Sequence, residues 1–306
     1  MRPSTQQKSP DQPRASLYDE VTDRIVTELE LGIVPWVRPW ESSGVALGLP
    51  CSATTRRNYS GINILILWNA VIKYGFASQE WLTFRQALSL GGHVRKGERG
   101  TVICYADSFI PKGERDRARE SGDDPSAVPF LKRFTVFNIE QCEGLPAHIA
   151  PAPRILSEIE LSPDAEALIS ATGAKIVTGS GDAFYNRAED VIRLPSREAH
   201  VSTADFYCTA FHELGHWTAH PSWLKRDLQN RFGSEAYARE ELIAELTSAF
   251  LCAQFGIVPQ VRHTDYLGHW LQILKSDARA IFHAASQASK ASDFILAFRH
   301  PEPPPP

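Results

Sequence analysis

The sequence predicts an α+β protein of two domains, and three observations carry that prediction. The chain has 306 residues, about twice the ~100–150 typical of one domain. Runs with helical apolar spacing give way to short β-rich runs and back again, so both element types are expected. Near the midpoint, residues 146–153 (PAHIAPAP) hold three prolines in eight positions, which resists regular structure. We therefore expect one domain over 15–145, a linker over 146–154 and a second domain over 155–300. Polar, Pro-containing tails at 1–14 and 301–306 are too poor in apolar residues to join a core.

From Leu17, apolar residues recur every four positions at Val21, Ile25 and Leu29, and Gly32 follows, which predicts a helix of about four turns. A loop then carries Trp36, Arg38 and Trp40. Residues 62–74 read as a buried helix between Ser60-Gly61 and Gly75, and residues 80–90 as a further helix ending at Gly91-Gly92. Residues 100–105 and 134–137 are β-rich and flank a long charged excursion at 112–128. Beyond the linker come a helix at 161–172, a short strand at 175–178 and a hairpin over 183–194 turning at 188–190. Ser202 or Thr203 can cap the next helix, since Ser202 and Asp205 fit the S-x-x-D/E box, and Pro221 closes it. A last helix runs from 234 to about 255 and ends at Gly256.

Composition narrows the class. Hydrophobic residues at 43% and charged residues at 22% describe a globular protein rather than disorder or a collagen. Residues 62–68 form the longest apolar stretch, far short of the ~18–20 that span a bilayer, and no apolar segment follows the basic N-terminus. A cytoplasmic protein with no membrane partner is expected. Five widely spaced cysteines, odd in number and without a C-x-x-C pair, argue against a disulfide framework or a cysteine zinc knuckle and read as buried thiols. The net charge of −4 hides an asymmetry: residues 51–115 hold nine Lys/Arg against four Asp/Glu, whereas 155–300 hold thirteen against eighteen. With a Debye length of only ~8 Å at physiological salt, a polyanion would feel the local basic segment and not the distant acidic one.

The chemistry concentrates in Phe211-His212-Glu213-Leu214-Gly215-His216-Trp217. Four residues apart on a helix, His212 and His216 stack on one face and can chelate one ion. Glu213 is placed to take a proton from metal-bound water without entering the coordination sphere, which is the logic of H-E-x-x-H. Catalytic zinc takes a third protein ligand and keeps one position open. A metzincin would need a glycine and a histidine where Ala219 and Ser222 stand, and His220, a full turn further on, converges poorly with His212. The better candidate is Glu241, 25 residues after His216, with Glu240 in reserve and Glu245 placed to orient a ligating histidine from behind. Zn²⁺ is the expected ion, with another divalent metal such as Mn²⁺ the alternative.

The runs FHELGHW and SEAYAREELIAELTSAFL, with AFYNRAEDVIRLP before them, resemble the zincin half of the ArdC-type antirestriction proteins of conjugative plasmids. In the first domain the resemblance continues at GIVPWVRPW, TTRRNYSGINILILW, WLTFRQALSLGGHVRKGERGT and FTVFNIEQCEGLP, so it covers nearly all of 17–300. It implies an N-terminal single-stranded-DNA-binding domain and a C-terminal domain similar to SprT and other zinc metallopeptidases, together protecting incoming DNA from host restriction. His212, Glu213, His216 and Glu241 match the family pattern directly.

Single strands are held by cations along the phosphates and by aromatic faces under the bases. Arg56, Arg57 and Tyr59, with Arg95 and Lys96 before a predicted strand, supply such groups once the resemblance is added. Trp36 and Trp40 flank Arg38 and fit either DNA contact or core packing, whereas Trp68, Trp81 and Phe84 are expected in the core. With no base-reading motif in sight, binding should be independent of sequence. The sequence leaves three readings: a DNA-coating antirestriction protein with a zincin domain, a protease acting on a restriction enzyme or other DNA-bound protein, and a DNA-binding protein with a structural metal.

Overall fold

The computed structural model describes residues 16–37, 48–111, 113–114, 117, 128–149, 158–226, 234–258 and 266–299. Arg38, Trp40, both tails, the linker from residue 150 and most of the 112–128 excursion lie outside the described residues. The fold is α+β, as expected.

Helix α1 (Leu17–Glu30) starts at a capping box in which Ser16 Oγ accepts from Asp19 N–H at 3.2 Å and Asp19 Oδ2 accepts from Ser16 N–H at 3.0 Å. It buries Val21, Ile25, Val26 and Leu29 on one face. Helix α2 (Ile62–Tyr74) is apolar nearly all round and correspondingly buried, and it stops at Gly75 in the left-handed conformation. Four strands form one sheet: β1 (Cys51–Ser52), β2 (Glu80–Leu82), β4 (Thr101–Phe109) and β5 (Val128–Asn138), in the order β1-β2-β5-β4. β1 and β2 are parallel; β5 runs antiparallel to both neighbours, with Leu82 opposite Phe137 and Ile103 opposite Phe134. Asn63 on α2 closes the free edge of β4, its amide donating to Cys104 O at 2.7 Å and its carbonyl accepting from Cys104 N–H at 2.8 Å. A two-stranded ribbon pairs β3 (His93–Val94) with β6 (Cys142–Glu143).

The expected helix over 80–90 is corrected. Glu80, Trp81 and Leu82 are buried on both faces as strand β2, and only then does Thr83 cap the short helix α3 (Phe84–Ser89) through a box with Gln86. Phe84, expected in the core, is 51% exposed on α3, while Trp68 and Trp81 are fully buried as expected.

In the second half, helix α4 (Glu158–Ala171) precedes a three-stranded sheet of order β7-β9-β8, formed by β7 (Lys175–Thr178), β8 (Phe184–Asn186) and β9 (Val191–Leu194). β7 and β9 are parallel, β8 and β9 antiparallel. Helices α5 (Thr203–Trp217), α6 (Glu235–Gln254), α7 (Leu267–Ser276) and α8 (Ala280–Ala297) follow; α7 and α8 are additions to the elements read from sequence. The two domains meet in the largest apolar cluster, which joins α1, α2 and the first sheet to α6, α7 and α8. Trp68 meets Phe250 edge-on at 5.8 Å, and Trp36 lies 6.0 Å from Trp270. A second cluster under α5 gathers Leu168, Ile192, Phe211, Leu214, Leu251 and Phe255. All five cysteines are free; Cys104, Cys208 and Cys252 are buried as expected, but Cys51 and Cys142 are only half-buried. Among the described residues no helix is long and apolar enough to cross a membrane.

Candidate metal centre and nucleic-acid face

Ser202 accepts from Asp205 N–H at 3.1 Å and starts α5, so the register of the H-E-x-x-H turn is set from its cap. Gly215, inside that turn, lets α6 approach closely: a Cβ there would stand 3.1 Å from Ala244 Cα and 3.3 Å from Thr247 Cβ. That approach brings Glu241 to the histidines. One ligand atom each from His212, His216 and Glu241 falls within 4.8 Å of the others. Glu241 lies 3.4 Å from Nε2 of His212 through one oxygen and 3.4 Å from Nε2 of His216 through the other. Two imidazoles and a carboxylate converging at this range are a donor set that suits a small divalent ion.

Behind each imidazole stands a second carboxylate. Glu245 is 3.5 Å from Nδ1 of His212, and Glu240 is 3.5 Å from Nδ1 of His216. Glu240, the reserve ligand of the sequence reading, is turned to Arg226, whose Nε and Nη2 donate to its two oxygens at 3.1 and 2.8 Å. The same guanidinium donates to Gly215 O at 2.7 Å and Thr218 Oγ1 at 3.0 Å, tying the loop after α5 to the metal helix. His220, set aside as a ligand, accepts from Ser222 N–H at 3.2 Å in the turn beyond α5.

Electrostatics follow from this burial. Desolvation disfavours the His212 imidazolium, but Glu241 and Glu245 outweigh it and push the group up to about 9. His216 is likewise raised against burial, by Glu241 and Glu240. Burial alone would raise the Glu241 carboxyl, yet the two histidines hold it well below the usual carboxylate range. Glu213 is buried beside the imidazoles and lines, with them, a cleft of about 200 Å³. Ala183, Phe184, Tyr185 and Arg187 from β8 and its turn line the same cleft, as does Tyr237. Tyr185 donates to Asp190 Oδ1 at 2.8 Å, and burial with that bond raises its hydroxyl. Arg187, Tyr237 and Arg226 were missed by sequence reasoning; the only signal was their place inside the AFYNRAED, SEAYARE and post-helix segments.

The candidate DNA residues are less uniform. Arg56, in the left-handed region at φ 60°, pairs with the buried Glu80, and Arg57 beside it is exposed. Arg95 pairs with Glu98 at 2.7 Å across the turn at Gly97 (φ 91°), leaving Lys96 exposed at its tip. One aromatic is corrected, and a second is partly withdrawn from solvent. Trp36 has no exposed surface because it packs on Trp270, so it offers no face to a base. Tyr59 is half-buried against the main core, and burial raises its hydroxyl.

Comparison with known proteins agrees with this arrangement. A model of the N-terminal domain of anti-restriction factor ArdC matches residues 15–137, and one of a zincin-like metallopeptidase matches residues 163–287. The antirestriction protein ArdC of plasmid R388, solved metal-free and Mn(II)-bound, superposes with TM-scores of 0.76 and 0.77 at 36% and 35% identity. Those alignments cover 93% and 94% of this chain and 98% and 100% of the R388 protein. Protein y4eC of Sinorhizobium fredii (strain NBRC 101917 / NGR234) is 35% identical over 296 residues, 96% of this chain and 95% of y4eC. Two DNA primases TraC of Escherichia coli are 38% and 37% identical over 92% and 94% of this chain, which spans only 27% and 20% of their length. With both halves matched in order and a solved relative aligned end to end, the chain belongs to the ArdC family of antirestriction proteins.

Proposed function

We propose that the chain protects incoming DNA from restriction by coating single strands without sequence preference, and that its second half is a divalent-metal peptidase centre. The observation that carries the second part is the convergence of His212, His216 and Glu241 at a cleft that also holds Glu213. In this reading residues 15–145 grip the strand through Arg56, Arg57, Arg95 and Lys96, residues 155–300 carry the hydrolytic centre, and the protein works in the cytoplasm, where entering DNA meets restriction enzymes. His212, His216 and Glu241 would hold the ion; two imidazoles and a carboxylate suit Zn²⁺, and the Mn(II)-bound R388 relative supports Mn²⁺ as the alternative.

A bound ion supplies Lewis-acid polarisation of a peptide carbonyl and of water. Glu213 takes the proton released at the cleft and returns it to the leaving amine, as a general base and then acid. Glu245 and Glu240 stand 3.5 Å from the two Nδ1 atoms and would hold the Nδ1–H tautomers when an ion is bound, leaving both Nε2 atoms for the ion. Arg187, which lines the same cleft and has a buried Nη1 without a hydrogen-bond partner, is available to bind a substrate carbonyl. A purely structural metal is disfavoured, since such sites take four protein ligands and this one offers three beside an open cleft.

The peptide substrate is a restriction enzyme or another DNA-bound protein. A second reading, in which cleavage itself protects, is favoured by the place of Glu213 in the cleft. Transfer of unmodified plasmid into a restricting host separates the two. Glu213→Ala should be folded, metal-loaded and DNA-binding, without peptidase activity, and still protective, because coating needs no bond cleavage. A variant with all those properties and no protection makes proteolysis the function.

A further inference from the structure

The first half exposes an aromatic face that belongs to no core. Phe84 opens α3 with 51% of its surface exposed, and Leu88, one turn on along the same face, is 53% exposed. One exposed apolar side chain is ordinary; two on one face of a short helix that also exposes Arg85, with Arg57 on the turn bonded to that helix, call for an occupant. The cations are brought there by specific bonds. Ala53 N–H donates to Trp81 O at 2.8 Å, and Gln86 Nε2 donates to Thr54 Oγ1 at 2.9 Å, so the 54–57 turn is tied to the start of α3. Arg56 anchors the turn on Glu80. Arg57 on that turn and Arg85 next to Phe84 are both exposed, and among the described residues neither takes part in an ion pair. β3, packed against α3, leads into the turn that displays Lys96.

We propose that Phe84, extended by Leu88, is the platform on which unpaired bases stack, with Arg57 and Arg85 holding the flanking phosphates. The inference rests on the single-strand reading above and names its contact surface. An exposed ring on an element that also carries exposed cations suits an unpaired strand, whose bases have free π-faces, and not a duplex, whose bases are already stacked. It also accounts for sequence-independent binding, because every base has such a face.

The test uses the full chain and a labelled oligothymidylate. Phe84→Ala should weaken binding by about 5- to 150-fold without changing the salt dependence or the melting temperature. Phe84→Trp should restore affinity. Arg57→Ala should lower the slope of log affinity against log salt by about 0.7. Wild-type binding with unaltered affinity in Phe84→Ala would overturn the inference, leave the single-strand reading standing, and assign the face to a protein partner. Failure of the wild type to bind the oligonucleotide would overturn the single-strand reading itself.

Discussion

At the metal centre ligand atoms of three titratable side chains, two of them buried and His216 partly so, lie within 4.8 Å of one another, and each faces a partner of complementary charge. On the proposed nucleic-acid face, Arg57, Arg85 and Lys96 are exposed to solvent, as is the ring of Phe84. The first site is held together by the interior, whereas the second is an open surface whose side chains are free to move. Substitutions should therefore act abruptly at the centre and gradually on the face, with metal loading and DNA binding moving independently.

The largest expected effect is at the ligands themselves. His212→Ala should abolish stoichiometric metal binding, measured as ion content after dialysis against chelator-treated buffer, while oligonucleotide affinity stays within twofold (about 0.4 kcal/mol) of wild type. Next comes the residue that looked like a DNA contact and is core. Trp36→Ala should destabilise the fold by about 3–5 kcal/mol in denaturant titration, the usual cost of emptying a large aromatic site. A loss of DNA affinity with stability intact would return Trp36 to the face.

A smaller effect belongs to the carboxylates behind the imidazoles. Glu245→Gln should weaken metal binding by about 10- to 100-fold without abolishing it, and competition with a metal indicator measures this.

The pH dependence sharpens the comparison further. Without metal, His212 is raised to about 9 in the folded chain, above its ordinary 6.5. Its protonation therefore contributes stability that is fully present below pH 6.5 and lost as pH rises through about 9, at most on the order of 3 kcal/mol. Chelator-treated protein should melt earlier above pH 9 than at pH 6.5, whereas metal affinity should rise over the same window because ligation needs neutral rings. The smallest effect is on the face, where Lys96→Ala should cost a few-fold in affinity at low salt and nearly nothing at high salt.

The two regions also differ in how far they could be read from sequence. Helical spacing fixes a geometry, so His212 and His216 at i and i+4 announced a shared ligand face before any fold was known. Glu241 followed from a second helix whose register was equally clear. The partner of Glu240 was not legible, because no local pattern joins it to Arg226; the pair exists only through the turn that brings the chain back over α5. In the first domain, residues 80–82 are buried on both sides, and such a run does not distinguish strand from helix by periodicity. The box from Thr83 to Gln86 was the available signal that a helix begins after them, and reading it would have placed Phe84 at an exposed first turn. Trp36 is core in part through Trp270, far along the chain. α8 escaped notice because its buried face is largely alanine and serine, which lack apolar contrast yet let helices pack closely.

The central claim is that Glu241, and not its neighbour, completes the metal site. Ion content and affinity measured side by side on Glu241→Gln and Glu240→Gln test it most directly, since both variants keep side-chain volume. The account predicts that Glu241→Gln loses the ion and that Glu240→Gln keeps it with affinity reduced by about 10- to 100-fold. Full occupancy in Glu241→Gln together with loss in Glu240→Gln would contradict it.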